Sequence, residues 1–215
     1  MALPIPRQCL NMVKVSLNEI YSETYKAYRS VGLEWGIAKD SAILSKWLGE
    51  YGFNFLGPTL KTIDLYNKGE ISLSLKENSY KKPFYGALMG LPLVEYVSAC
   101  KIKWQGYVYD YKFLIAAMAI IAKEQNINLI LSDNKKTIAY TLKKNIYMIK
   151  EVITKTEYFY LEPYHFKENT NINELKPRRN STALDVNEKH WEKLKLLAFK
   201  TYVPESRTSK SGAGY

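Results

Sequence analysis

Ile37, Ser41, Leu44, Leu48 and Tyr51 recur at steps of four, three, four and three. Only a helix of about 3.6 residues per turn puts such a series on one face. Residues from Trp35 to Tyr51 are therefore expected to be helical, with Gly52 as the stop. Just upstream, Ser16-Leu-Asn-Glu19 has the form of a capping box: the serine oxygen accepts from the third helical amide and the glutamate bonds back. Leu17, Ile20, Tyr21, Thr24, Tyr28 and Val31 then follow at helical spacing up to Gly32. Two such helices joined by Gly32-Leu-Glu-Trp35 make a helical hairpin.

A third helix is expected to open at Gly57-Pro58, since proline suits a first turn, and to close at Gly69. The charged stretch from 70 to 83 reads as a boundary. It divides a helical N-terminal subdomain (1–80) from an α+β subdomain (81–215) with a C-terminal helix and a polar tail, the two packing as one compact domain. Residues 1–13 read as a leader arm. Beyond the boundary, the break at Pro92 suggests a loop and then a short buried helix over 92–99. Alternation around Gln105-Gly106 suggests a hairpin over 101–109, and 114–125 reads as a buried helix. Strands are expected over 127–132, 136–142, 146–153 and 156–162, rich in Tyr, Ile, Val and Thr. A polar loop over 165–183 leads to a final helix from Asn187 to Thr201, which Pro204 prevents from continuing. The class is α+β: an N-terminal helical hairpin plus a third helix, then a mostly antiparallel sheet with a buried helix and a C-terminal helix.

Composition narrows the functional classes. The chain is 47% hydrophobic over 215 residues, enough for a sizeable core. Its net charge is +10, which invites a polyanionic partner. The positive charge is nearly all lysine, however. Arginine, the residue of bidentate phosphate and base contacts, stands only at Arg7, Arg29, Arg178, Arg179 and Arg207. Abundant Asn and Ile beside the lysines point to a compositional bias towards A- and T-rich codons. Cys9 and Cys100 have no CxxC spacing, which suits a reducing cytoplasm. His165 and His190 are far apart, so no metal site is read. The residues name no cofactor. No signal segment is read at the N-terminus, and the apolar run from Phe113 to Ala122 is too short to span a bilayer, so no membrane role is expected.

The candidate site is the segment after the last helix, Tyr202 to Tyr215. Ser206 and Ser209 offer hydroxyls, Arg207 a cation and Glu205 a base, while Gly212 and Gly214 permit backbone shapes that aim amides at an anion. The plainer alternative is a solvated tail. A second candidate is the turn at Glu34 and Trp35: Trp35 would stack on a ligand that Glu34 orients. Against that, Trp35 would be a core anchor and Glu34 an acid favoured by the helix dipole. Arg178-Arg179 could meet phosphate or simply be solvated. The loop Tyr85 to Gly90 lacks the GK[ST] ending of a phosphate loop.

Three stretches resemble a family of bacterial proteins of unknown function, about 220 residues long. They are Val15–Glu19 with Gly32–Ala38, Trp47-Leu48 and Gly52; the Pro92 region; and Trp191 through Tyr202-Val-Pro204, Ser206, Ser209 and Gly212-Ala-Gly214. The last has the form YVPxSxxSxxGAG. The resemblance implies a site at the C-terminal segment and carries no activity with it. Members continue into an acidic ending to which no residue here corresponds.

The first expectation is a cytoplasmic enzyme or enzyme subunit. It would bind a small anionic metabolite through Ser206, Arg207, Ser209, Gly212, Gly214 and Trp35, with Glu205 or Glu34 for proton transfer. The alternatives are a non-catalytic partner subunit, or homo-oligomer, and a nucleic-acid-associated basic protein. In the last, Lys135-Lys136 and Lys143-Lys144 would join Tyr140, Tyr147 and Tyr158 on a sheet face. Turn lysines also protect strand edges, and nucleic acid ranks below the small molecule.

Overall fold

In a computed structural model, described for residues 11–75, 82–133, 136–148, 158–164, 173–178 and 183–201, helices lead and a sheet follows. The elements run β1 (Met12–Ser16), α1 (Leu17–Arg29), α2 (Trp35–Glu50), α3 (Leu56–Asn67), β2 (Phe84–Tyr85), α4 (Gly86–Cys100), β3 (Trp104–Tyr109) and α5 (Lys112–Gln125). After these come β4 (Leu129–Ser132), β5 (Thr137–Leu142), β6 (Asn145–Met148), β7 (Tyr158–Pro163), β8 (Asn173–Glu174), β9 (Ala183–Asn187) and α6 (Glu188–Phe199).

Local chemistry sets the front helices. Both halves of the capping box form at α1: Glu19 N donates to Ser16 Oγ at 3.1 Å, and Ser16 N to Glu19 Oε2 at 2.7 Å. These bonds hold the Glu19 carboxyl below its ordinary pKa. α2 ends in a Schellman pair, Gly52 N to Gly49 O at 2.9 Å and Phe53 N to Leu48 O at 2.8 Å, with Gly52 at φ +80°. α3 ends the same way through Gly69. Pro58 sits in its first turn as expected, although the helix opens at Leu56.

β2, β3, β7, β4, β5, β6 and β8 lie side by side in that order; β2 and β3 are parallel and the other pairs antiparallel. α4 and α5 pack on one face of this sheet, α2 lies on both, and α1 pairs with α2 and carries α6. Alternation along β3 and β7 is clean. Trp104, Val108, Phe159 and Leu161 enter the core, while Tyr107, Tyr109, Tyr158 and Tyr160 take the other face. A separate ribbon pairs β1 with β9, from Met12 opposite Asn187 to Ser16 opposite Ala183.

Four local expectations are corrected. Met12 and Val13 are strand and not leader arm, because β9 supplies a partner from the far end of the chain. α4 begins at Gly86 and runs through Pro92; six buried or half-buried residues before the proline anchor that first half against α5. Residues 104–109 are one strand and not a hairpin, since Gln105 and Gly106 pair with Tyr160 and Phe159. The polar stretch after 165 holds the short strand β8.

Asp110, at φ +50°, precedes α5, and its Oδ1 accepts from Lys112 N at 3.2 Å. Burial pushes its carboxyl pKa up, outweighing the nearby Lys112 charge. The folded chain thus binds this proton more tightly than the unfolded one. The contribution favours folding below the ordinary value of 3.8 and is lost as pH rises through the raised folded value. Asp110→Asn keeps the acceptor and drops the charge, so it should raise the Tm at pH 7, with the gap closing towards about pH 3. A Tm series across pH checks this; a lower Tm for the variant at pH 7 would refute it.

Candidate functional site

The α2–α3 turn, the β1–β9 ribbon and the start of α6 enclose a cavity of about 390 Å³. Its floor is apolar, made by Phe53, Phe55, Leu56, Leu184 and Val186. Five polar residues line the rest: Asn54, Arg178, Asp185, Asn187 and His190. Each arrives by a local rule. Asn54 follows the Schellman turn at Gly52. In β9, Leu184 and Val186 are buried, so Asp185 between them is exposed. Asn187 caps α6 by accepting from His190 N at 2.9 Å, which fixes the third helical residue beside the cavity.

Arg178 is held by its backbone and by a glycine. Leu175 N donates to Ile146 O at 2.8 Å and Arg178 N to Glu50 O at 3.0 Å, so residues 175–178 tie β6 to the end of α2. The guanidinium then lies directly over Gly52: a Cβ there would stand 2.1 Å from Nε and 2.6 Å from Cζ. Nη2 donates to Gly52 O at 3.4 Å. Among the described residues the guanidinium has no ion-pair partner. An unneutralised arginine above an apolar floor favours an anion with an apolar body. The start of α6 adds little, because Glu188 N is committed to Asn11 O and His190 N to Asn187. A larger cleft, about 810 Å³, lies between the end of α2, α5 and β6–β8. Its cations Lys123, Lys144 and Lys176 stand among the acids Glu50, Glu124 and Glu174, so it presents no excess of one charge.

Of the described residues singled out in the sequence, Arg178 lines this cavity, and Glu34 and Trp35 do not. Glu205, Ser206, Arg207, Ser209, Gly212 and Gly214 lie outside the described residues, as do Arg179, His165 and Cys9. Glu34 is the N-cap of α2 and makes no side-chain cap bond. Trp35 is no core anchor: it is 69% exposed, with the Arg29 guanidinium 4.3 Å from its ring centroid and Tyr25 at 6.2 Å. Arg29 also donates to Leu33 O, so it braces the turn. This pair stands at the opposite end of α2 from the cavity, about 24 Å along a 16-residue helix. Asn54, Asp185 and His190 had no local signal as a group; Gly52 and Arg178 were visible singly.

Among the described residues, no group of three or more His, Cys, Asp or Glu is placed to hold a metal ion, and no helix is long and apolar enough to cross a membrane. Residues 15–83 match a family described as protein of unknown function (DUF3726). The resemblance to an uncharacterised family thus holds over the front helices; the match does not include the C-terminal motif. No curated protein matches the chain. Among solved structures, malate dehydrogenase from Entamoeba histolytica is similar at 12% identity with a TM-score of 0.43, over 76% of this chain and 49% of that one. The chain thus spans about half the length of that enzyme, and a likeness this shallow carries no argument about activity.

Proposed function

We propose that this protein binds a small anionic metabolite with an apolar body in the cavity at the end of α2, as an enzyme or the subunit of one. The observation that carries the reading is the Arg178 guanidinium, without an ion-pair partner among the described residues and lying over Gly52 above an apolar floor. In this reading Arg178 takes the ligand's carboxylate or phosphate. The apolar floor takes its body, and His190 and Asp185 are the groups in reach for proton transfer.

The C-terminal segment is the second arm of the proposal. Ser206, Arg207 and Ser209 would add donors, Gly212 and Gly214 would allow close backbone approach, and Glu205 would be a further base. An extended chain covers up to about 27 Å in the eight residues from Thr201 to Ser209, and α6 is about 18 Å long. The segment therefore has the length to return from the end of α6 to its start. The alternative of a partner subunit rests on Trp35, whose exposed ring beside Arg29 and Tyr25 has the composition of an interface anchor.

The test is a thermal-shift panel of small carboxylates and phosphates with aliphatic or aromatic bodies. At about a hundred times its dissociation constant, a true ligand adds about 2.7 kcal/mol, or roughly 5–10 °C for a chain of this size. The shift should vanish in Arg178→Gln and shrink in a chain ending at Pro204. An equal shift in Arg178→Gln, or none with any monoanion, overturns the cavity reading. A shift unchanged by the shortened chain removes the tail from it.

A further inference from the structure

The face of the sheet opposite α4 and α5 is paved with tyrosines. Tyr107 of β3 meets Tyr158 of β7 with ring centroids 4.9 Å apart, and Tyr158 meets Tyr160 at 5.5 Å. Tyr85 and Tyr109 extend the row onto β2 at 5.3 Å. Across the sheet, Tyr140 stacks on Tyr147 at 5.0 Å. The register puts these rings on one face: Tyr109 opposite Tyr85, Tyr107 opposite Tyr158, and Tyr140 opposite Tyr147. An open face usually carries short polar side chains between its strands. This one carries the half-exposed rings of Tyr107, Tyr158 and Tyr160, with Tyr140 buried further across it.

Lysine predominates in this part of the sequence: between residues 101 and 150, nine lysines stand against three acids. Lys103 Nζ lies 4.9 Å from the centroid of the Tyr160 ring. Its salt bridge to Glu162, at 3.5 Å with both side chains exposed, is of the kind that contributes little. Lys136 is exposed in the β4–β5 turn. Lys143 and Lys144, both exposed, form the two-residue β5–β6 turn at φ +49° and +70°. Asn-Gly is the favoured pair for such a turn, so the two lysines stand where the backbone disfavours them.

We infer that this face is a docking surface for single-stranded nucleic acid, with bases stacking on Tyr107, Tyr158 and Tyr160 and phosphates meeting Lys103, Lys136 and Lys143. Unpaired bases offer π faces that a duplex hides, and stacking is tolerant of sequence. The alternation that folds the sheet exposes the platform, and the lysine excess supplies the counter-charge. The surface is independent of the cavity at Arg178, so either reading can fail without the other.

Fluorescence anisotropy of labelled oligo-dT and oligo-rU of about twelve nucleotides, and of a duplex of equal length, tests it in 50 and 200 mM salt. Both single strands should bind, and the duplex should bind more weakly. With three phosphate contacts at a log–log slope of about −0.7 each, affinity should fall about 20-fold between the two salts. Tyr160→Ala and Tyr107→Ala should each weaken binding about 5- to 150-fold. Tyr160→Phe, which keeps the ring, should bind as the wild type does, and Lys103→Ala should reduce the slope by about 0.7. A preference for one oligonucleotide names the natural source. Equal binding of duplex, no binding at 50 mM salt, or alanine variants that fold and bind unchanged would each overturn the inference. A dimer that the same alanine variants dissociate, with no oligonucleotide bound, would assign the face to a second copy of the chain instead.

Discussion

Gly52→Ala is expected to lower the Tm by about 2–8 °C and to weaken binding of the anionic ligand about 10- to 150-fold. Gly32→Ala should do only the first. Both glycines sit in the left-handed region, at φ +80° and +82°. A side chain there costs about 1–2 kcal/mol, and each kcal/mol moves the Tm of a chain this long by about 2–4 °C. The two positions differ in what a Cβ would meet. At Gly32 nothing lies within 4 Å; at Gly52 the Arg178 Nε lies at 2.1 Å. The obstructing atoms belong to the far end of an exposed, flexible side chain, so the clash is relieved by swinging the guanidinium away rather than by unfolding. The loss then appears in binding. A hydrogen bond to a charged group contributes about 1.5–3 kcal/mol, which is the stated fold-change at 1.4 kcal/mol per factor of ten. Comparing Tm and affinity for the two variants with the monoanion found in the thermal-shift panel separates backbone strain from arginine placement. Equal affinity in both would remove Gly52 from the site.

The contrast between the front and back of the chain shows what a single sequence discloses. Ser16, Glu19, Gly52 and Gly69 act within one turn of where they stand, so the bonds that end α1, α2 and α3 follow from local residue types. Gln105 and Gly106 have the composition of a turn, yet they are mid-strand because Tyr160 and Phe159 take their pairing positions from some fifty residues away. Pro92 misleads for a related reason. Proline disrupts an isolated helix, but the buried surface of Leu88, Leu91 and Val94 holds α4 together across it. The ribbon of β1 and β9 could not be read at all, since each strand is made by the other.

The cavity depends on these long-range pairings. Asp185 and His190 reach it only because β9 joins β1, and Arg178 only because its amide finds Glu50 O. A sequence scan sees one histidine, one aspartate and an arginine pair, and no spacing connects them. Glu34 and Trp35 attracted attention because glycines flank them, and Trp35 is indeed exposed. They lie on the same helix as Gly49 and at the wrong end of it for this cavity.

Phe113→Ala should destabilise the chain by about 3–5 kcal/mol, and the loss should reach the front helices as well as the sheet. Phe113 is fully buried in α5. It packs so closely on α4 that a Cβ placed on Gly86 would come within 3.1 Å of its own Cβ. The core around it is continuous. A Cβ on Gly90 of α4 would meet Ala117 of α5 and Leu44 of α2, both at 3.5 Å, so three helices share one contact point. The same core runs from Ile20 in α1 to Ile146 in β6. A cavity opened at Phe113 therefore weakens the support of α2 as well as that of the sheet. Urea unfolding followed by tryptophan fluorescence and by far-UV circular dichroism should show one transition, displaced to lower urea with its slope unchanged. The tryptophans divide usefully: Trp35 and Trp47 stand before the boundary near 80, Trp104 and Trp191 after it. If the residues before and after that boundary unfolded as separate units, the variant would split the curve in two, and only the part reported by Trp104 and Trp191 would move.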